Sequence, residues 1–430
     1  MGCGKTTVGR ALAVQGLKPD GASLRSAPPP ACAGGPPASG PRAARPSGFK
    51  PCTASSQGVS LPSIQYFVDL DEEIERREGV SVQEIFRTRG EGAFRALESS
   101  VLRDVLSCSC SGQQSLVIAL GGGTLTNPQC RELLREHDAF CIYLRASVET
   151  LASHLSSGGD VASRPLLAGP GTIEEKISGL LSLRSGLYES SADFILDTDG
   201  LGPEQIAGQI RRIVSRRYRA VIFDLDGTLL DTLEDLACAV EHALQKRGFP
   251  GHSIQEYRGM VGHGVRNLVI RALPSQLQEN QELVDACLSD FKDYYRSHID
   301  VHTHPYPGMP ELLGRLRQEG VRLCVASNKF QEGVEHLVNE FFPDITFSAI
   351  LGDRPGKALK PDPQIVREAL AAAGVDISDC VMAGDSATDM KTAAAAGIDA
   401  IAVNWGYRSL EASPDYLLVH SAEELCMALL

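Results

Sequence analysis

The stretch that most constrains this chain runs from Arg219 to Thr232, RAVIFDLDGTLLDT. The apolar run Ala220 to Phe223 leads directly into Asp224-Leu225-Asp226-Gly227-Thr228. A short apolar run bounded by polar and glycine signals reads as a buried strand of a parallel sheet. Alternation along an extended chain puts Asp224 and Asp226 on one side, at the carboxyl end of the strand. Open α/β sheets bind ligands at that end. Two carboxylates crowded there repel unless a cation lies between them, so the motif implies Mg²⁺. Gly227 lets the chain turn away close to a ligand. A bare D-x-D is most simply an acidic strand end; DLDGTLLDT is far more specific.

At 430 residues, 43% hydrophobic, the chain is long enough for two or three domains with their own cores. Its net charge of -13 and the lack of a basic stripe argue against nucleic acid as a partner. The 12 cysteines form no C-x-x-C, so free thiols in a reducing compartment are expected rather than zinc. No apolar run approaches the ~20 residues of a membrane span. Met1 is followed at once by Gly-Cys-Gly-Lys, with no room for a signal peptide. The expected compartment is the cytoplasm, or a plastid if residues precede Met1.

Ahead of the acidic strand, Gly4-Lys5-Thr6 reads as the end of a phosphate-binding loop. Its backbone N–H groups would cradle phosphates, Lys5 would reach the β/γ-phosphates and Thr6 would hold Mg²⁺. A first loop glycine and a preceding strand would fall before residue 1. Phe67 to Glu75 reads as a strand ending in paired acids, Asp69 and Asp71 among them, then a helix. Phe94, Arg95 and Glu98 follow on a helix. Leu116 to Leu120 is a buried strand ending in Gly121-Gly122-Gly123, where backbone can approach a ligand closely. Cys141 to Leu144 is another short strand, Arg164 lies in a Gly/Ser-rich lid-like segment, and Arg184 sits on a helix.

Together these features resemble shikimate kinase, an α/β fold of the P-loop nucleoside-monophosphate-kinase type. The resemblance covers Met1 to about Leu17 and Tyr66 to about Arg217, and the domain it implies is 1–17 and 64–200. It implies that Gly4, Lys5 and Thr6 bind ATP phosphates, with Thr6 and Asp69 on Mg²⁺. It implies that Asp71, Arg95, Gly121, Gly122, Gly123 and Arg184 bind shikimate, that Asp71 orients the attacking hydroxyl, and that Arg164 closes on the transferred phosphoryl group. Phosphoryl transfer is mostly positioning and charge neutralisation, which suits this set. His154 stands where the family usually carries an arginine. Residues 18–63 interrupt the pattern with a Pro/Ala/Gly/Ser-rich insert that buries too little to order. So long a structureless loop inside a compact domain reads as a real linker or, in preference, as sequence wrongly joined into the chain. Loss of the first, central strand would leave unpaired sheet edges.

Residues 201–217 read as a helical junction, with Ile206, Ile210 and Ile213 at helical spacing. From Arg219 onward four motifs follow in order: Asp224-Leu225-Asp226-Gly227-Thr228, Ser327-Asn328-Lys329, Lys360-Pro361-Asp362-Pro363 and Gly384-Asp385-Ser386-Ala387-Thr388-Asp389. They resemble the haloacid dehalogenase superfamily, in its phosphoglycolate-phosphatase-like branch. The fold implied is a Rossmann-like core, 218–232 and 305–430, with a helical cap, 233–304. The resemblance implies that Asp224 attacks phosphorus and Asp226 protonates the leaving oxygen, then activates water. Mg²⁺ would be held by Asp224, the Asp226 carbonyl and Asp385. Ser327, Asn328 and Lys360 would bind phosphate oxygens, and Asp389 would orient Lys360 or a metal-bound water. Gly262-His263-Gly264 with Arg266 reads equally as a substrate-sensing cap loop or an ordinary helix start. His302 and His304 read as loop residues rather than metal ligands.

The leading expectation is therefore a fused enzyme. Its first half phosphorylates shikimate with ATP, and its second hydrolyses a small phosphomonoester such as 2-phosphoglycolate. The alternative is a phosphatase alone, with the first half a binding or scaffold module. A sugar phosphomutase is disfavoured, because that branch usually carries Val where Thr228 stands.

Overall fold

The computed structural model describes residues 5, 7–8, 64–109, 115–157, 171–215, 218–262 and 264–430. Gly4, Thr6, the insert 18–63, Arg164 and His263 lie outside the described residues.

In chain order the elements begin with β1 (Ile64–Asp69), α1 (Leu70–Glu78), α2 (Val82–Ser109), β2 (Ser115–Ala119) and α3 (Pro128–Glu136). Next come β3 (Ile142–Arg145), α4 (Val148–Ser157), α5 (Ile173–Ser191), β4 (Phe194–Asp197) and α6 (Pro203–Ser215). The acidic strand is β5 (Ala220–Phe223), followed by β6 (Leu230–Asp231). The expected cap comprises α7 (Leu233–Gln245), α8 (Ile254–Met260), α9 (Val265–Ala272) and α10 (Gln281–Tyr295). After it come β7 (His304–Pro305), α11 (Met309–Gln318), β8 (Arg322–Phe330), α12 (Gln331–Phe341) and β9 (Ala349–Asp353). The chain ends with α13 (Gln364–Ala373), β10 (Cys380–Gly384), α14 (Ala387–Ala396), β11 (Asp399–Val403), β12 (Leu417–Val419) and α15 (Ala422–Leu429).

The chain separates into two compact units, Met1–Phe140 with Leu151–Ser191, and Cys141–Thr150 with Ala192–Leu430. In the first, β1 pairs with β2 in parallel. Asp69 caps α1 by accepting the Asp71 and Glu72 N–H groups, and left-handed Gly79 closes the helix. Leu70, Ile74, Ile85, Phe94 and Leu102 are buried as its core. Gly90, at φ 79°, breaks α2 with a kink.

The second unit is built on a six-stranded sheet of order β12-β11-β10-β5-β8-β9. All its pairings are parallel. β5 lies inside the sheet and all four of its side chains are buried, which is why its sequence is continuously apolar rather than alternating. β3 and β4 pair separately as a two-stranded parallel sheet. Ile206, Ile210 and Ile213 of α6 are buried, as the helical spacing predicted.

β8 runs through Ser327, Asn328 and Lys329 to Phe330, and its register with β9 shifts between Ala326 and Phe330. Ser253 and Glu256 form a capping box at the start of α8.

Candidate active site

β5 delivers Asp224 to the carboxyl edge of the sheet, and the Asp224 N–H donates to Ala383 O of neighbouring β10 at 2.9 Å. β10 delivers Asp385 beside it. Gly227, at φ 85°, turns the chain so tightly that a Cβ there would fall on the Asp385 carboxylate. A Cβ on Gly406 would fall on Gly227 O and Asp385. The two glycines let three loops converge.

Lys360 Nζ lies 2.8 Å from Asp224 Oδ1 and 2.7 Å from Asp389 Oδ1. Burial opposes its charge, but Asp224 and Asp389 outweigh burial and hold the amine above lysine's ordinary value. Asp389 belongs to the cap of α14, where Ser386 and Asp389 bond reciprocally. Its Oδ2 accepts from Ser386 at 2.5 Å while Oδ1 takes Lys360.

Oxygens of Asp224, Asp385 and Asp389 lie within 4.8 Å of one another, all buried. Three carboxylates thus share one ammonium. Burial, then the Asp389 charge, pushes the Asp224 carboxyl well up. Burial and Asp389 likewise raise Asp385 to about 7, against the Tyr407 N–H that it accepts. A divalent cation would relieve this repulsion, and carboxylate oxygens are the donors a hard ion takes. The residues present fit Mg²⁺.

Asp226 accepts from Thr232 Oγ1 at 2.7 Å and Lys329 Nζ at 2.9 Å, both on Oδ1. Thr232 in turn is bonded to Tyr407 OH through its N–H at 2.7 Å. Ser327 is buried beside the cleft. The Asn328 carboxamide bonds the Lys360 backbone, with Lys360 N–H donating at 2.8 Å and Asn328 Nδ2 returning 3.1 Å to Lys360 O. Its side chain thus holds the Lys360 backbone, and Asn328 lines the cavity with Asp224 and Ser327.

The helical segment 233–304, the expected cap, reaches this edge. Val261, Gly262, Gly264, Val265 and Leu268 line the same cavity as Asp224 and Asp385. Arg408 ties core to cap by donating to Gly259 O and Val261 O at 2.8 Å each. Arg266 is engaged elsewhere, with Asp285 at 2.5 Å and Gln281 at 2.7 Å. Arg266 thus faces away from the acids, whereas Gly262 and Gly264 line the cavity with them. In the first turn of α7, buried Asp235 accepts the His302 and Thr303 N–H groups. His302 Nδ1 lies 3.7 Å from Glu234. Lys329, Tyr295, Tyr407 and Asp235 escaped the sequence reading as site residues. The WGY run after β11 and the SNK tripeptide were the available signals.

In the first unit, Asp71, Arg95, Gly121, Gly122, Gly123 and Arg184 come together. A Cβ on Gly121 would meet Asp71 Oδ1, and one on Gly123 would meet the Arg95 guanidinium. Arg184 donates to Gly122 O at 3.0 Å. Arg95 pairs with buried Glu98 at 2.9 Å. Burial, then Asp69 and Glu98, raises the Asp71 carboxyl to about 6, with Lys5 opposing. Asp69 is occupied in capping α1. No helix among the described residues is long and apolar enough to cross a membrane.

Comparison with known proteins gives two family matches. The family model for haloacid dehalogenase-like hydrolases matches residues 221–403, and that for shikimate kinase matches residues 59–215. Phosphoglycolate phosphatase of Mesorhizobium japonicum is 36% identical over 220 residues, 48% of this chain and 96% of that protein. Phosphoglycolate phosphatase of Neisseria meningitidis is 36% identical over 191 residues, 44% of this chain and 81% of that protein. A crystal structure described as a candidate phosphoglycolate phosphatase of Lactobacillus delbrueckii subsp. bulgaricus is 36% identical with a TM-score of 0.46, covering 50% of this chain and 99% of that one.

Proposed function

Because the chain belongs to the haloacid dehalogenase-like hydrolases, with a segment of the shikimate kinase family ahead of that domain, we propose that its second half hydrolyses a small phosphomonoester, 2-phosphoglycolate first among them, with Asp224 as the nucleophile. The observation that carries this reading is the buried constellation of Asp224, Lys360, Asp385 and Asp389 at the carboxyl edge of β5. An Asp224 oxygen forms a bond to phosphorus as the bond to the leaving oxygen breaks. Asp226 gives that oxygen its proton. Asp226 then takes a proton from water, which attacks phosphorus and frees Asp224 and orthophosphate. Lys360 balances the charge on Asp224 as the ester forms. Ser327 and Asn328 bind phosphate oxygens, and Asn328 also holds the Lys360 backbone in place. Mg²⁺, held by Asp224, the Asp226 carbonyl and Asp385, would supply charge neutralisation between carboxylate and phosphate. The relatives' names support phosphoglycolate.

The first half carries the second part of the proposal, transfer of the ATP γ-phosphoryl group to shikimate. Lys5 with Gly4, Thr6 and Asp69 would serve ATP and Mg²⁺, Arg164 would close on the transferred group, and Asp71, Arg95, Gly121, Gly122, Gly123 and Arg184 would hold shikimate. The gathering of the latter set supports it. A different observation favours a non-catalytic scaffold. β1–β2 and β3–β4 form separate two-stranded sheets, and β3–β4 groups with the phosphatase unit. Purified chain given ATP, Mg²⁺ and shikimate, and separately a panel of phosphomonoesters, decides between these. Phosphate release from the panel without shikimate 3-phosphate selects the scaffold reading. No release from any phosphomonoester ends the phosphatase reading.

A further inference from the structure

Lys329 is a buried cation that the proposed chemistry leaves unused. Its side chain is 1% exposed. Its Nζ donates to Asp226 Oδ1 at 2.9 Å and to Tyr295 OH at 2.6 Å, and it lies 4.7 Å from the Tyr295 ring centroid. Lys329 is on core strand β8; Tyr295 closes cap helix α10. The Tyr295 ring is itself fixed, 5.1 Å from Phe291 on its own helix and 6.1 Å from Phe330 of the core. A buried ammonium desolvated this fully needs partners on every side. Here one partner is the proposed proton donor and the other is the cap.

Both donors to Asp226, Thr232 and Lys329, fall on Oδ1. An oxygen already accepting two hydrogen bonds is a poor place for a proton, so the carboxyl proton belongs on Oδ2. We propose that Lys329, held by Tyr295 of the cap, is a positioning residue that pins Oδ1 of Asp226 and so presents Oδ2 to the leaving oxygen. The proton donor is then aimed only while the cap helix lies on the core, which couples closure over the substrate to the first step. This rests on the phosphatase reading above. In that step the bond from phosphorus to the leaving oxygen breaks, the electron pair stays on that oxygen, and the Oδ2 proton moves to it.

The test exploits leaving groups that differ in their need for that proton. An alkyl phosphate such as 2-phosphoglycolate needs it; p-nitrophenyl phosphate, whose leaving group is stable as an anion, does not. The ratio kcat/KM reports only steps through formation of the phosphorylated Asp224. Lys329→Met is expected to lower kcat/KM on the alkyl phosphate by on the order of 10²-fold, the loss typical of a misplaced reacting group, and to change p-nitrophenyl phosphate by less than about threefold. Tyr295→Phe, which keeps the lysine and the ring, is expected to show the same selectivity at about 3- to 10-fold. Equal losses on both substrates, or no loss on either, overturn the proposal. A Tyr295→Phe protein indistinguishable from wild type overturns the cap's part in it. Asp224→Asn separates this from the premise: hydrolysis of both substrates surviving in that variant refutes the phosphatase reading, whatever Lys329 does.

Discussion

Lys360 stands between two carboxylates, 2.8 Å from Asp224 and 2.7 Å from Asp389, and each depends on it for compensation. Lys360→Met leaves both buried without a counter-charge, and removal of one charge-stabilising donor costs about 10²–10³ in kcat. Steady-state hydrolysis at saturating Mg²⁺ checks this. Asp385 gives a pH signature. Its carboxyl is raised to about 7 by burial and Asp389. In the metal-free fold that contribution to stability is present below the ordinary carboxyl range and is lost as pH rises through about 7. A cation competes with the same proton, so Mg²⁺ affinity should weaken about tenfold per unit below that value and level off above it. Mg²⁺-induced shifts in melting temperature at pH 5.5, 6.5 and 7.5 should therefore grow with pH. A shift that is constant or shrinks would exclude Asp385 as the competing site. The acids were legible in the sequence because each follows a strand or opens a helix in a short motif, and Lys360, in the turn between β9 and α13, because Pro361-Asp362-Pro363 follows it. The Lys329–Tyr295 pair was not, because its members are 34 residues apart and meet only through tertiary packing.

At the scale of elements, α14 does two things with one residue. Its N-terminal capping box uses Asp389 Oδ2, and the opposite oxygen holds Lys360. Ser386→Ala removes the reciprocal half of the box and should cost about 1 kcal/mol of stability. It should also loosen Asp389, so turnover falls more than a peripheral cap would predict. Chemical denaturation and kcat from one preparation test both. An unchanged kcat with the stability loss would confine Ser386 to capping. Gly406 is subject to a different constraint. A Cβ there falls on Gly227 O and Asp385, backbone and catalytic cleft together, with no flexible side chain to give way. Gly406→Ala should destabilise by about 1–3 kcal/mol, the usual cost of overpacking. The helical spacing of Ile206, Ile210 and Ile213 made α6 readable, whereas α8 has only seven residues, too few for an apolar period to register.

For the whole molecule, the family boundary and the compact unit do not coincide. The shikimate kinase match runs to residue 215, yet residues Cys141–Thr150 and Ala192–Leu430 cluster together. Specific bonds account for this. Arg145 of β3 grips Asp197 of β4 at 2.5 and 2.9 Å, and His420, just after β12, lies 2.7 Å from Asp197. Gln209 of α6 donates to Ser413 O at 2.6 Å and Tyr416 O at 3.2 Å. Burial works against the Asp197 charge, but His420 and Arg145 prevail and lower its carboxyl to about 2. Its stabilising contribution is thus present above the ordinary carboxyl range and is lost as pH falls through about 2. A chain starting at residue 218 keeps every proposed phosphatase residue but leaves His420, Ser413 and Tyr416 without these partners and uncovers the apolar surface under α6. It should keep kcat within about twofold, because distant sites are close to additive, while melting several degrees below the full chain, as a loss of about 1–3 kcal/mol would produce. Replacing Asp197 by Asn in the full chain should reproduce part of that deficit at pH 7 and progressively less of it as pH falls from about 4 towards 2. If the shortened chain melts with the full one, the strands β3 and β4 are passengers on the phosphatase, and the family boundary is also the folding boundary.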